Sequence, residues 1–121
     1  MAKQILVCED ESNILISISF IIKKEGFELL TVKDGEEALR VAREKKPDLM
    51  LLDVAMPKKT GLEVCQMLKN DEETKDIYIA MLTAKGQEAD EKEGMKAGAN
   101  EYIKKPFSPR QLKEKIHEIL D

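Results

Sequence analysis

Short apolar runs recur at five places along the chain, separated by segments in which apolar residues recur with helical spacing. The runs are Ile5–Cys8, Leu29–Val32, Leu49–Leu52, Ile77–Leu82 and Tyr102–Ile103. The third and fourth runs are continuous rather than alternating, as is typical of strands that are covered by helices on both faces. The pattern therefore predicts strand and helix in alternation, repeated five times, with a central parallel sheet.

Three of the helices are predicted from apolar residues that share one helical face. These sets are Ile14, Ile18, Ile21 and Ile22, then Ala38, Leu39 and Ala42, and finally Leu112, Ile116, Ile119 and Leu120. Capping signatures support two helix starts, because Glu37 follows Asp34 by three residues and Gln111 follows Ser108 by three. Gly26, just before the second strand, fits a helix C-cap. The helix boundaries therefore agree with the strand assignment.

The segment from Gln87 to Ala97 is the weakest helix candidate. A run of charged residues interrupts its apolar stripe, and Gly94 inside it costs about 1 kcal/mol relative to alanine. A helix at this place is therefore predicted to be loosely held.

Length and composition limit the classes of protein to which this chain can belong. Its 121 residues, 42% of them hydrophobic, suffice for one ordinary core and predict a single domain over residues 1–121. With 20 basic residues against 24 acidic ones, no broad positive surface is expected, which argues against direct nucleic-acid binding. No apolar run approaches membrane-spanning length, and the first run is too short for a signal peptide, so we expect no membrane association and a cytoplasmic location.

The two cysteines and the single histidine suggest no site of their own. Cys8 falls in an apolar run and Cys65 on a helical stretch, and the absence of CxxC spacing argues against a disulfide framework and a zinc site. His117 follows Ile116 on the last helix and is predicted to lie on its solvent-facing flank.

Polar residues follow the predicted strands at the edge where open parallel sheets bind their ligands. These strand-end residues are Glu9, Asp10, Glu11, Asp53, Thr83, Lys104, Lys105 and Pro106. Clustered carboxylates repel one another unless a cation neutralises them, and oxygen ligands at a partly open site suit Mg²⁺ better than zinc. The sequence therefore predicts one crevice that combines acids, a hydroxyl group and lysines around a hard divalent metal.

Four motifs give the chain a specific resemblance. They are Glu9-Asp10, Asp53-Val-Ala-Met-Pro57 with Gly61, Thr83-Ala84, and Gly98-Ala-Asn-Glu-Tyr102-Ile-Lys-Lys105-Pro-Phe107. Together they closely resemble the receiver domains of two-component response regulators, and the resemblance covers essentially the whole chain. It implies a doubly wound α/β fold of the flavodoxin-like (βα)5 type, with five parallel strands in the order 2-1-3-4-5.

The resemblance also implies a chemistry for the strand-end residues. Asp53 would accept a phosphoryl group from a phosphohistidine on a sensor histidine kinase or a phosphotransfer protein. Mg²⁺ would be held by Asp10, by an oxygen of Asp53, by the backbone carbonyl of Ala55 and, through water, by Glu9, which stands where many relatives have Asp. Lys105 would pair with a phosphoryl oxygen. No organic cofactor is implied.

A switch is implied by the same resemblance. The hydroxyl of Thr83 would bind the phosphoryl group, and Tyr102 would rotate into the space that this movement leaves. The change would reach the face formed by the fourth helix, the fifth strand and the fifth helix, through which a homodimer could form. The Lys105–Pro106 bond is expected to be cis. Such a protein is a phosphorelay signalling switch and not an enzyme, although it catalyses its own phosphorylation and slow dephosphorylation.

Three alternatives compete with this interpretation. A phosphatase of the haloacid dehalogenase type needs a second Asp two residues after the nucleophile, where this chain has Ala55. A flavin-binding module needs a phosphate loop after the first strand, where Glu9-Asp10-Glu11 would repel a phosphate. A pseudo-receiver would act as a docking module alone. The cognate kinase, the output partner and the phosphorylated lifetime stay open.

Overall fold

The computed structural model describes residues 2–84, 92 and 95–121. Five parallel strands form one sheet in the order β2-β1-β3-β4-β5, which confirms the predicted topology. The strands are β1 (Gln4–Cys8), β2 (Glu28–Val32), β3 (Leu49–Asp53), β4 (Tyr78–Ala84) and β5 (Glu101–Lys105). Because every strand runs in the same direction, the carboxyl ends of all five lie at one edge of the sheet.

Helices alternate with the strands along the chain. They are α1 (Ser12–Lys24), α2 (Gly35–Lys45), α3 (Gly61–Lys69) and α5 (Pro109–Leu120), and residues 92 and 95–97 are helical and are labelled α4. The rest of the predicted helix between Gln87 and Ala97 lies outside the described residues. No helix in the described part of the chain is long and apolar enough to cross a membrane.

The core consists of two apolar layers, one on each face of the sheet. Consecutive residues of β1 alternate between them, since Leu6 belongs to the layer under α2 and α3 while Val7 belongs to the layer under α1 and α5. Both side chains are fully buried. Burial of an aliphatic side chain of this size stabilises the fold by about 1.5–3 kcal/mol. This two-sided burial explains why the central strands read as continuous apolar runs.

The predicted helix ends are confirmed. Asp34 caps α2 by accepting a hydrogen bond from the backbone N–H of Glu37 at 2.9 Å. Ser108 and Gln111 form a reciprocal capping box at the start of α5, with both bonds at 3.1 Å. Gly26 follows α1 with φ of 85°, a left-handed conformation that glycine adopts without a steric penalty.

One capping box was missed by the sequence interpretation. Thr60 and Glu63 bond each other's backbone N–H groups at the start of α3. The signal was available, because threonine with glutamate three residues later is the signature of such a box. It fixes where α3 begins and therefore where the loop after β3 must end.

The last two strands are longer than predicted. β4 continues to Ala84 and β5 ends at Lys105, because the parallel ladder pairs Thr83 with Lys104 and Ala84 with Lys105. The end of β5 was not recognised because Lys104 and Lys105 are polar and do not extend the apolar run. Their backbone groups nevertheless pair with β4. Thr83 and Lys105 therefore belong to paired strand ends. The prediction that Lys105 lies past β5 was wrong, because Lys105 is the last residue of that strand.

His117 lies on a partly exposed flank of α5 and contacts the end of α1. Its ring nitrogens lie 2.8 Å from Glu25 Oε1 and 2.8 Å from Asp121 Oδ2, and its ring centroid is 5.4 Å from that of Phe27. The side chain is 34% exposed. The contact with the carboxyl end of α1 was not predicted, because a helical pattern does not show which helix packs beside α5.

Candidate functional site

Three carboxylates meet at the carboxyl edge of the sheet. Glu9 and Asp10 follow β1, and Asp53 ends the neighbouring strand β3. One oxygen from each of the three lies within 4.8 Å of the others. Glu9 and Asp53 are buried, whereas Asp10 is exposed. The structure therefore brings together the three acids that the sequence placed at strand ends.

Lys105 joins this cluster from β5. Its ammonium Nζ lies 2.7 Å from Glu9 Oε1 and 3.3 Å from Asp53 Oδ1. Burial alone would lower the pKa of Lys105, but the carboxylates of Glu9 and Asp53 outweigh it and raise that pKa above its ordinary value. The lysine therefore stays charged. The resemblance implied only a contact of Lys105 with a phosphoryl oxygen, and the ion pair with Glu9 was not predicted.

The carboxyl group of Asp53 sits in an environment that disfavours its negative charge. Burial raises its pKa, the nearby Glu9 raises it further, and Lys105 opposes both only in part. The backbone N–H of Ala55 donates a long hydrogen bond of 3.4 Å to Asp53 Oδ1. One ammonium group against three carboxylates leaves the cluster net negative, so an additional cation would stabilise it.

The donor set fits a hard divalent cation. The side-chain ligands available from Glu9, Asp10 and Asp53 are carboxylate oxygens that lie close to one another. Ala55, whose backbone carbonyl the resemblance implied as a further ligand, is exposed in the loop that follows Asp53. Oxygen donors on an open, net negative site suit Mg²⁺. The two cysteines in the described residues, Cys8 and Cys65, are buried and unpaired.

Thr83 carries an unused hydroxyl group next to the acids. The residue is 1% exposed, and its Oγ1 has no hydrogen-bond partner among the described residues. Asp53 pairs with Leu82 in the ladder between β3 and β4, so Thr83 lies one residue beyond Asp53 along the same edge. Buried hydroxyl groups are almost always hydrogen-bonded. The unpartnered hydroxyl group of Thr83 is therefore unusual, and it lies at the same end of the sheet as the acidic cluster.

Tyr102 lies on the strand next to Thr83. It pairs with Met81 in the ladder between β4 and β5, and its side chain is partly buried against the core layer under α2 and α3. The Lys105–Pro106 peptide bond that follows is cis, as the resemblance implied. The structure therefore places the predicted switch pair on adjacent strands.

A groove beside α1 was not identified from the sequence. Ile16 and Phe20 are 67% and 66% exposed on α1, and they line an apolar depression with Lys24 of the same helix and with Pro109 and Lys113 of α5. Large exposed apolar side chains at neighbouring positions mark contact surfaces. The signal was present, because these residues fall outside the face formed by the buried isoleucines of α1.

Known proteins resemble this chain over nearly its whole length. The family model of the response regulator receiver domain matches residues 5–117. The alkaline phosphatase synthesis transcriptional regulatory protein PhoP of Bacillus subtilis (strain 168) is 42% identical over 120 residues, which are 99% of this chain and 49% of PhoP. The phosphate regulon transcriptional regulatory protein PhoB of Escherichia coli (strain K12) is 39% identical over 99% of this chain and 52% of PhoB. The chain thus spans about half the length of these regulators.

Solved structures agree with the sequence matches. The chemotaxis response regulator CheY4 of Vibrio cholerae superposes with a TM-score of 0.92 at 30% identity, covering 99% of this chain and 100% of CheY4. The receiver domain of the sensor histidine kinase PA1611 of Pseudomonas aeruginosa PAO1, solved with a magnesium ion coordinated in its active site cleft, gives 0.90 at 26% identity over 98% of both chains. The structural comparison and the sequence comparison therefore point to the same family.

Proposed function

This chain belongs to the response regulator receiver domain family, and on that premise we propose that Asp53 accepts a phosphoryl group from a sensor histidine kinase or a phosphotransfer protein. The observation that carries the proposal is the meeting of Asp53 with Glu9, Asp10 and Lys105 at one edge of the sheet. Phosphoryl transfer needs a nucleophile, carboxylates that can bind a metal ion, and a positive charge held near the phosphoryl group.

The transfer proceeds by attack of a carboxylate oxygen of Asp53 on the phosphorus of a phosphohistidine. The new O–P bond forms as the P–N bond breaks, and its electron pair returns to the imidazole ring. The product is an acyl phosphate on Asp53. Lys105, already 3.3 Å from Asp53 Oδ1, can turn from the carboxylate to a phosphoryl oxygen without a large movement.

The metal site uses the same residues. Asp10, Asp53 and the backbone carbonyl of Ala55 would hold Mg²⁺, and Glu9 would contribute through water. When bound, Mg²⁺ supplies positive charge that offsets the negative charge of the phosphoryl group. Support comes from the oxygen-only donor set of this chain and from the magnesium ion in the cleft of the PA1611 receiver domain.

Signalling follows from the change of charge at Asp53. A phosphoryl group offers strong acceptors to the unpartnered hydroxyl of Thr83, and movement of Thr83 frees space for Tyr102. The protein is a switch and not an enzyme that turns over small phosphate esters.

The exposed Ile16 and Phe20 form the surface on which the cytoplasmic phosphodonor protein docks.

Phosphorylation also promotes a homodimer through α4, β5 and α5. PhoP and PhoB, to which this chain is similar, are transcriptional regulators of about twice its length. Exposed charges of both signs occupy this face, including Lys104 of β5 and Glu118 of α5. Sedimentation with and without beryllofluoride, a phosphoryl mimic, measures the association. An unchanged sedimentation coefficient would argue against the dimer.

Phosphoramidate tests the proposed function, because it is a small donor with the same P–N bond as phosphohistidine. We expect incorporation of one phosphoryl group, dependent on Mg²⁺ and released by hydroxylamine, which cleaves acyl phosphates. Modification that resists hydroxylamine would place the phosphoryl group on another residue type. Absence of modification together with partner binding would favour a docking module without phosphorylation.

A further inference from the structure

The loop between β3 and α3, residues 54–60, rests against the amino terminus of α2. The carbonyl oxygen of Pro57 accepts two backbone hydrogen bonds, one from Gly35 N–H at 3.1 Å and one from Lys59 N–H at 2.8 Å. The second bond spans only two residues and defines a γ-turn centred on Lys58, whose φ is 70°. Such a turn is strained for a residue with a side chain. The loop therefore holds a conformation that needs support from outside.

Gly35 allows the close approach of this loop. A Cβ atom on Gly35 would lie 2.1 Å from the carbonyl oxygen of Lys59, nearer than real Cβ atoms come to another atom. Asp34, the residue before it, adds a second contact, because its Oδ2 lies 3.7 Å from Lys58 Nζ. Two adjacent residues at the start of α2 thus hold three consecutive residues of the loop.

The other end of the loop, where α3 begins, is also fixed by close backbone contacts. Gly61 N–H donates to the carbonyl oxygen of Val54 at 2.8 Å, and a Cβ on Gly61 would lie 2.2 Å from the carbonyl oxygen of Asp53. Between these anchors lies Ala55, whose carbonyl is a proposed metal ligand. Its position depends on how the loop is held at both ends.

We infer that the amino terminus of α2 keeps the loop of residues 54–60 in its metal-binding conformation, with Gly35 as a positioning residue for the Ala55 carbonyl. The inference rests on the proposed function, since it presumes a metal at Asp53 and Ala55. Gly35 lies outside the carboxylate cluster and acts through the loop. Residues that orient metal ligands typically change metal affinity by about 10- to 100-fold when altered.

Gly35→Ala tests the inference, with Gly26→Ala as its matched control. Gly26 has φ of 85°, and a Cβ added there would meet no atom within 4 Å, so this alanine strains the backbone without touching the loop. Calorimetric titration of the metal-free proteins with Mg²⁺ should show about 10- to 100-fold weaker binding for Gly35→Ala. The control should stay within about twofold of wild type even where both variants melt earlier.

The phosphorylation kinetics separate positioning from general damage. With acetyl phosphate as donor, Gly35→Ala should need more Mg²⁺ for half-maximal rate, while saturating Mg²⁺ should restore much of the wild-type rate. Lys58→Asn is a second variant that keeps a residue tolerant of the left-handed conformation and removes the ion pair to Asp34. Loss of a positive charge would by itself tighten Mg²⁺ binding. Weakening by about two- to fivefold would therefore reflect lost positioning.

The outcomes distinguish the two claims. Suppose that the wild-type protein binds Mg²⁺ and becomes phosphorylated, and that the folded Gly35→Ala variant binds Mg²⁺ with equal affinity. This result would overturn the positioning role and leave the proposed function intact. If Gly35→Ala does not fold, Lys58→Asn decides, and unchanged or tighter binding overturns the inference. Wild-type protein that neither binds Mg²⁺ nor becomes phosphorylated contradicts the proposed function and the inference together.

Discussion

Thr83 and Thr74 are both buried threonines, but their hydroxyl groups differ in hydrogen bonding. The Oγ1 of Thr83 has no partner among the described residues, whereas the equally buried Thr74 donates from its Oγ1 to the carbonyl oxygen of Leu68 at 2.7 Å. An unpaired buried hydroxyl group costs stability, and a paired one contributes to it. The two threonines therefore form a matched pair for measurement.

We predict that Thr83→Ala leaves the free energy of unfolding within about 1 kcal/mol of wild type, because no hydrogen bond is lost. Thr74→Ala should cost about 1–3 kcal/mol, since it leaves the Leu68 carbonyl unsatisfied. Urea unfolding of the unphosphorylated proteins measures both values. Equal destabilisation of the two variants would mean that Thr83 already has a partner in the resting protein.

The contribution of Lys105 to stability should depend on whether a metal ion is bound, because Lys105 is a cation that offsets the carboxylates in the metal-free protein. Glu9 is 1% exposed at its side chain and is paired with Lys105 at 2.7 Å. We predict that Lys105→Met lowers the stability of the metal-free protein by roughly 1–3 kcal/mol, below the full cost of an uncompensated buried charge because Lys105 is partly exposed. The rise of Tm on adding Mg²⁺ should be larger than in wild type. A neighbouring variant with the same charge change on an exposed side chain, Lys104→Met, is the control, and an equal Mg²⁺ response in both would count against the ion pair.

At the scale of elements, apolar patterning predicts only what is apolar. The buried apolar residues of β1 and β3 could be recognised, although the half-buried Gln4 at the start of β1 was missed. β5 presents exposed or half-buried lysines at its end and was recognised over two residues only. Its remaining length comes from backbone pairing with β4, which has no signature in side-chain hydropathy. Helix ends were predictable because capping is a local interaction, as at Asp34 and Ser108.

The contact of α5 with the end of α1 should give the protein a pH-dependent stability. Hydrogen bonds to Glu25 and Asp121 raise the pKa of His117 above its ordinary value of 6.5, although its partial burial opposes this, and Lys113 lies 3.6 Å from Glu25. A raised pKa stabilises the folded state below the ordinary value, and the contribution disappears as pH rises through the folded value. Both ring nitrogens face carboxylates, so the charged imidazole fits this geometry.

We predict that the difference in unfolding free energy between wild type and His117→Gln favours wild type at about pH 6 and shrinks by about pH 9. Arg110→Gln is a suitable control, because it removes an exposed ion pair with Glu114 on the same helix and leaves the imidazole of His117 in place. Denaturant unfolding at both pH values measures the difference. A difference that is independent of pH would show that His117 is neutral in the folded protein.

At the scale of the molecule, the location of the candidate site was predictable and its internal contacts were not. Parallel strands bring their carboxyl ends together, so acids after β1 and β3 had to meet. The ion pair of Glu9 with Lys105 and the contact of Gly35 with Lys59 join residues far apart in sequence. Such contacts depend on how helices and loops pack on the sheet, and neither local propensity nor periodicity encodes them.

The most direct test of the central claim is the intact mass of the protein after incubation with acetyl phosphate. Wild type with Mg²⁺ should gain the mass of one phosphoryl group, while wild type in EDTA and Asp53→Asn with Mg²⁺ should gain none, because the first lacks the metal and the second lacks the nucleophile. A gain of the same mass in Asp53→Asn, or no gain in wild type that still binds Mg²⁺ and beryllofluoride, would contradict the assignment of Asp53 as the phosphoryl acceptor.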